Sequence, residues 1–202
     1  MKSVNQWWWR HRYDLYAPMY DALTKRVFRH ARQRSLALAD VEVGQKWLLL
    51  GCGSGQDLAL VPEQVTVIAA DLSWPMLCKA RAYQRGLLIQ MNAERVGLAS
   101  QSMDVVVLHL ILAVVPNPGA LLAEVCRILK PGGQVIIMDK LLVPGQQPSR
   151  WRRCFNPIAK VIATDLCLSL ESFLESLPWT LESQQGVLAG GVFRAIKLQR
   201  QL

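Results

Sequence analysis

The chain is short of acids, of long apolar runs and of paired cysteines, and each shortage removes a class of protein. Its 15 Asp and Glu face 23 Lys and Arg, a formal charge of +8 over 202 residues. The longest strongly apolar run, Val105 to Val115, has 11 residues and contains His109. That is too short to cross a bilayer. Met1 to Arg12 holds no apolar stretch ahead of a small-residue cleavage site, so no secretion signal is read there. The five cysteines, Cys52, Cys78, Cys126, Cys154 and Cys167, are odd in number, scattered and never arranged as CxxC. They read as reduced thiols of a cytosolic protein, not as a disulfide framework or a zinc site. No internal repeat with a period of roughly 20–50 residues is present, which removes a solenoid.

What is there begins with a chain half apolar (51%) and a fifth charged (19%). That balance suits one globular domain with a sizeable core. The positive charge is concentrated. Residues 1–38 carry +6 and residues 141–160 carry +4, whereas 39–140 and 161–202 each carry −1. Both basic segments lie beside tryptophans, Trp7, Trp8 and Trp9 in the first and Trp151 in the second. Basic charge next to such aromatics suits an anionic surface, lipid or nucleic acid. A solvated basic face with packed tryptophans is the plainer alternative.

From about Tyr20, the apolar Tyr20, Leu23, Val27, Phe28, Ala31 and Leu38 share one helical stripe, with Lys25, Arg26, Arg29 and Arg32 opposite. This predicts a basic amphipathic helix. Strands are predicted at Lys46–Leu50, Val65–Ala70, Leu87–Met91, Asp104–His109, Gln134–Met138, Thr180–Gln184 and Val192–Leu198. Helical segments fall near Asp57–Val61, over Pro75–Tyr83 with Ser73 as N-cap, and over Gly119–Leu129, ended by Lys130-Pro131-Gly132-Gly133. Two more cover about Arg150–Ile162 and Leu168–Leu177. The alternation predicts an α/β fold, a mostly parallel seven-stranded sheet with helices on both faces and an antiparallel C-terminal hairpin. Residues 1–40 read as a basic, aromatic helical segment and 41–202 as the main domain, with 141–178 a helical insertion.

In an open α/β sheet, ligands bind beyond the carboxyl ends of the strands. Gly51-Cys52-Gly53-Ser54-Gly55 follows the first predicted strand directly, and its glycines let the backbone turn sharply and approach a ligand. A tight turn without a ligand is the other reading. Asp71 ends the second strand 20 residues after Gly51, where a carboxylate accepts both hydroxyls of an adenosine ribose. A diphosphate-binding GxGxxG needs glycine at position 56, which is Gln56, and no Lys-Ser or Lys-Thr pair follows as in a P-loop. The loop is shaped for a nucleoside without a diphosphate.

Leu50-Gly51-Cys52-Gly53-Ser54-Gly55, Ala70-Asp71-Leu72-Ser73-Trp74-Pro75-Met76-Leu77 and the stretch Leu122 to Gly133 resemble, in order and spacing, the class I S-adenosylmethionine-dependent methyltransferases. The resemblance covers roughly residues 13–140. It implies a Rossmann-like sheet with N-terminal lid helices and S-adenosylmethionine as methyl donor. By position it implies that Gly51, Cys52, Gly53 and Gly55 surround the methionine end of the donor, that Asp71 binds its ribose, and that Leu72 and Met76 pack on its adenine. Asn92-Ala93 stands where that family often has Asp-Ala at the adenine edge. One position departs. The residue two before the first glycine is usually acidic and is Leu49 here, which leaves the donor's ammonium to a water or another polar group.

Tyr13-Asp14-Leu15-Tyr16-Ala17-Pro18-Met19-Tyr20-Asp21 resembles the segment of the quinone and phospholipid branches in which a tyrosine approaches the donor, which nominates Tyr20 as a catalytic residue. Packing of a lid helix is the alternative for Tyr20. Leu110–Val115 and Pro116-Asn117-Pro118 resemble the soluble bacterial phosphatidylethanolamine N-methyltransferases.

His109 ends the fourth strand, where many members of that family face the acceptor, and is nominated both as a catalytic residue and as a donor-binding one. Imidazole is suited to take a proton from an ammonium or phenol near neutral pH. A buried, hydrogen-bonded structural histidine is the other reading. Asp139 and Lys140 end the next strand in similar geometry, Asp104 reads as structural, and His11 and His30 as solvent-facing. Methyl transfer needs alignment and exclusion of water, so neither a catalytic triad nor a metal is expected. The expected acceptor is a small molecule or lipid, with the amine of an ethanolamine phospholipid first. The protein would then be cytoplasmic, on the inner face of the cell membrane through residues 1–38 and 150–160. C- or O-methylation of a quinone precursor or another small molecule is the alternative. Nucleic-acid binding is disfavoured, because the aromatics cluster instead of interleaving and no Asn-Pro-Pro-Tyr sequence follows the fourth strand. Leu49 keeps a non-catalytic donor-binding protein as a further reading.

Overall fold

The computed structural model describes residues 26–142 and 168–201. Seven strands, β1 (Lys46–Leu50), β2 (Thr66–Asp71), β3 (Leu87–Gln90), β4 (Met103–His109), β5 (Leu129–Lys140), β6 (Trp179–Leu188) and β7 (Phe193–Arg200), form one sheet. Their order is β3-β2-β1-β4-β5-β7-β6. Pairing is parallel from β3 through β5, and β7 runs antiparallel between β5 and β6. The sheet is the mostly parallel, Rossmann-like one the sequence predicts.

Alternate side chains of the central strands feed two different cores. Leu48 and Leu50 of β1 join Val106 and Leu108 of β4 on one face, and Trp47 and Leu49 join Val105 and Val107 on the other. A strand buried on both faces has no polar side, which is why these runs read as continuously apolar. Helix α1 (residues 26–36) and α2 (Trp74–Ala80) cover the Trp47 face through Phe28, Ala31, Leu36, Leu77 and Ala80. Helix α3 (Pro118–Ile128) and α4 (Glu171–Ser176) cover the other, through Leu121, Leu122, Val125, Phe173 and Leu174.

Local chemistry sets the helix starts. Ser73 caps α2 by accepting from the Met76 N–H, and Asn117 caps α3 by accepting from the Ala120 N–H at 3.0 Å, with Pro118 in the first turn. Two residues of the Leu122–Gly133 stretch form a clamp. Glu124 accepts from the Val96 N–H, and Arg127 pairs with Glu124 while donating to the carbonyls of Val96 and Leu98.

Three sequence expectations are corrected. The buried stripe of α1 is Phe28, Ala31, Arg32, Ser35 and Leu36, so Arg32 points inward and Val27 is half-exposed. Helix α3 stops at Ile128 and β5 begins at once. Met103 pairs with Leu129 and Val105 with Gln134, so Lys130-Pro131-Gly132-Gly133 forms a bulge within the strand. The segment near Asp57–Val61 is a 3-10 turn over Gln56–Ala59. Trp7–Trp9, Tyr20, Trp151 and the helix expected at 150–162 lie outside the described residues. Among the described residues no helix is long and apolar enough to cross a membrane.

Candidate active site

The chain steps outward from β1 to β3 and then returns to place β4 on the other side of β1. The loops after β1 and β4 therefore diverge and leave a crevice at the carboxyl ends of the strands. Into it runs the glycine loop. The N–H groups of Gly51 and Cys52 both donate to the Ala70 carbonyl, at 2.8 and 2.9 Å, which staples the loop to β2. Gly53 N–H donates to Asp71 Oδ2 at 2.7 Å, and Ser73 N–H donates to Asp71 Oδ1 at 2.9 Å. The half-buried Asp71 carboxylate is thus fixed in orientation by two backbone amides.

Two of the glycines are needed for different reasons. Gly51 has φ 74°, and a Cβ there would lie 2.4 Å from Cδ1 of Ile111, so β1 and the loop after β4 pack too closely for a side chain. Gly53 has φ 55°, but a Cβ there meets nothing within 4 Å. The space it leaves beside Asp71 is open. Gln56 directly follows Gly55, and its buried Oε1 has no hydrogen-bond partner among the described residues. A diol acceptor, an open glycine cradle and an orphaned buried acceptor fit a nucleoside bearing a hydrogen-bond-donating substituent.

The expected adenine-side residues lie at the same end of the sheet. Leu72 is exposed and Met76 buried beyond Asp71, while the Met91 N–H donates to the Asp71 carbonyl and brings Asn92-Ala93 alongside. Asn92 is exposed, and its Oδ1 accepts from the Glu94 N–H at 2.9 Å. Cys52 is buried. Burial, then the charges of Asp71 and Asp57, push its thiol far up, so it is no nucleophile.

His109 ends β4 and is buried. Its side chain is 1% exposed, with Nδ1 2.9 Å from Asp57 Oδ1 and Nε2 3.0 Å from Ser35 Oγ. A carboxylate only accepts, so Nδ1 carries a proton toward Asp57, and Nε2 shares a hydrogen bond with the Ser35 hydroxyl. Asp57 Oδ2 accepts from Arg32 Nη1 at 2.5 Å. Burial alone would raise the Asp57 carboxyl, but Arg32 and His109 outweigh it and hold it well below the usual carboxylate range. Both ring nitrogens are thus engaged, Nδ1 by Asp57 in the turn after the glycine loop and Nε2 by Ser35 of α1.

Asp139 is also buried. It accepts the Ala113 N–H at 3.0 Å and the Lys140 N–H at 2.8 Å, which anchors the loop after β4. Burial raises its carboxyl against those bonds, and burial likewise lowers Lys140. Asp104 accepts from the Lys46 N–H and pairs with Lys130 at 2.7 Å, a structural role. Among the described residues no group of three or more His, Cys, Asp or Glu could hold a metal ion.

Residues 48–137 match the family model described as a methyltransferase domain. The phosphatidylethanolamine N-methyltransferase of Cereibacter sphaeroides is 31% identical over 190 residues, covering 91% of this chain and 93% of that one. The chain belongs to the class I S-adenosylmethionine-dependent methyltransferases. The human thiol S-methyltransferase is 32% identical over 163 residues, but the chain spans only 62% of that protein's length. A methyltransferase of Thermotoga maritima shares the fold, with a TM-score of 0.71 at 18% identity, over 96% of this chain and all of that one. This methyltransferase is S-adenosylmethionine-dependent like its relatives.

Sequence reasoning missed Asp57, Arg32 and Ser35 in this methyltransferase. Arg32 and Ser35 had a local signal, because Phe28, Ala31, Arg32, Ser35 and Leu36 follow the i, i+3, i+4, i+7, i+8 spacing of a buried helix face, whereas Asp57 had none. That face was legible only if two polar residues were allowed on it.

Proposed function

We propose that this methyltransferase acts on the amine of an ethanolamine phospholipid at an anionic membrane surface, on the cytoplasmic side. The observation that carries the reading is the outward face of α1. Arg26, Arg29, His30 and Arg34 are exposed there beside half-exposed Val27, and residues 26–36 contain no acid. Each Lys or Arg near an anionic surface contributes about 1 kcal/mol, enough together for reversible docking. The end-to-end similarity to a phosphatidylethanolamine N-methyltransferase supports the same acceptor class.

In this reading Asp71 accepts the ribose hydroxyls, Gly51, Cys52, Gly53 and Gly55 surround the methionine end, Leu72 and Met76 pack on the adenine, and Asn92-Ala93 lies at its edge. The donor supplies an already activated methyl group on a sulfonium. The protein's work is to hold the acceptor nitrogen in line and to exclude water. Residues 1–40, with Tyr20, form the basic cover, and 141–178 the acceptor side. His109 acts as a positioning residue, joining the end of β4 to Asp57 and α1.

The test is methyl transfer from labelled S-adenosylmethionine to vesicles of phosphatidylethanolamine mixed with an anionic phospholipid. Methylated ethanolamine lipid is expected, with a rate that falls when the anionic lipid is replaced by a neutral one or salt is raised. Product on a quinone precursor or a soluble thiol, with none on lipid, overturns the proposal.

A further inference from the structure

Five buried side-chain polar atoms lack a partner among the described residues: Nε of Arg32, Arg194 and Arg200, Nε1 of Trp179, and Oε1 of Gln56. Four are N–H donors. Gln56 Oε1 is the one acceptor, and it sits directly after the glycine loop. Buried acceptors in folded proteins nearly always have a partner, so an orphan beside a ligand loop points to a donor group on the ligand.

The acids near the loop are already engaged. Asp57, the next residue, gives one oxygen to His109 and the other to Arg32. Asp71 is fixed by Gly53 and Ser73. Leu49, which stands two residues before Gly51, is apolar and fully buried in the core. A cationic group entering the loop from the methionine end therefore meets no carboxylate at position 49. Among the buried side chains of the described residues, Gln56 supplies the acceptor without a partner.

We infer that Gln56 is a donor-binding residue whose side-chain oxygen accepts a hydrogen bond from the ammonium of the donor's methionine end. This rests on the donor site described above. It makes recognition of that ammonium a neutral hydrogen bond where a carboxylate at position 49 would make it an ion pair.

The test is calorimetric titration of the full chain with two ligands. S-adenosylhomocysteine carries the amino-acid end, and 5′-methylthioadenosine shares its nucleoside and thioether but lacks that end. Gln56→Leu is expected to weaken S-adenosylhomocysteine about tenfold, the scale of one hydrogen bond to a charged group, and to leave 5′-methylthioadenosine unchanged. Gln56→Glu, which supplies an anionic acceptor, is expected to bind S-adenosylhomocysteine at least as tightly as the wild type. Thermal melts confirm that both variants are folded. Equal weakening of both ligands by Gln56→Leu, or no change in either, overturns the inference. Should Gln56→Leu not fold, loss of S-adenosylhomocysteine binding in folded Gln56→Glu overturns it as well. Failure of the wild type to bind S-adenosylhomocysteine is a different result, because it removes the donor site itself.

Discussion

The strands β2 and β4 flank β1, and each ends in a titratable side chain, Asp71 on one and His109 on the other. The two ends are used in opposite ways. Asp71 is half-buried at the crevice, its carboxylate turned by the amides of Gly53 and Ser73. His109 is enclosed by Asp57 and by Ser35 of α1. Being last in a strand places a residue at the mouth of the sheet, but the element packed on that face decides whether its side chain reaches the mouth. Over His109 that element is α1, with Asp57 of the 3-10 turn beside it.

The contrast is broken or sharpened most strongly at Asp71. Asp71→Ala should lower S-adenosylhomocysteine affinity by at least about 100-fold, since two charged hydrogen bonds are lost at roughly 1.5–3 kcal/mol each. Its thermal midpoint should move little. Calorimetry beside a melt decides, and undiminished binding would place the ribose elsewhere.

Asp57→Ala should do the reverse, weakening the fold first. It leaves Arg32 buried without its partner, a loss of roughly 3–5 kcal/mol, read by urea unfolding. Asp57 has a folded pKa below its unfolded value, so its contribution is present above the unfolded value of about 4 and lost as pH falls through the lower folded one. The gap between wild type and Asp57→Ala should therefore narrow below about pH 4. A gap that stays constant across the acid limb would mean the carboxylate is not held by Arg32 and His109.

The glycines divide the same way on a smaller scale. Gly51→Ala meets Ile111 and should cost roughly 1–3 kcal/mol of stability, the range for overpacking. Gly53→Ala has room for its methyl group, so it should cost only about 1 kcal/mol through its left-handed backbone while filling the cradle and weakening the donor. Equal stability losses with equal donor affinities would argue that Gly53 faces no ligand.

His109→Gln should have the mildest outcome, about 1 kcal/mol of stability from one hydrogen bond and unchanged S-adenosylhomocysteine affinity. A fall in turnover of about 100-fold or more, with an unchanged melt, would return His109 to acid–base catalysis.

Much of the donor side was legible because its chemistry is local. The glycine loop, Asp71 at a strand end and the Ser73 cap all lie within 25 residues of one another and follow turn and capping rules. The Asp57 cluster was not legible, because its members are brought together by packing across long separations. Arg32 meets Asp57 over 25 residues, and Ser35 meets His109 over 74. The same applies to the start of β5. Lys130-Pro131-Gly132-Gly133 stops a helix, and it takes the partner Met103 to turn Leu129 into a strand residue.

The ties around α1 also reach the far end of the chain. Lys197 pairs with Asp40 across 157 residues, and Gln185 exchanges hydrogen bonds with Arg34 across 151. During synthesis at roughly 5–20 residues per second, Asp40 precedes its partner by about 8–30 s. Through that interval α1 is held by Asp57, by His109 and by the packing of Leu36 on the Trp47 face. Only when β7 pairs beside β5 and β6 are the ties from Gln185 and Lys197 made, so the last polar contacts of this region wait on the C-terminal hairpin.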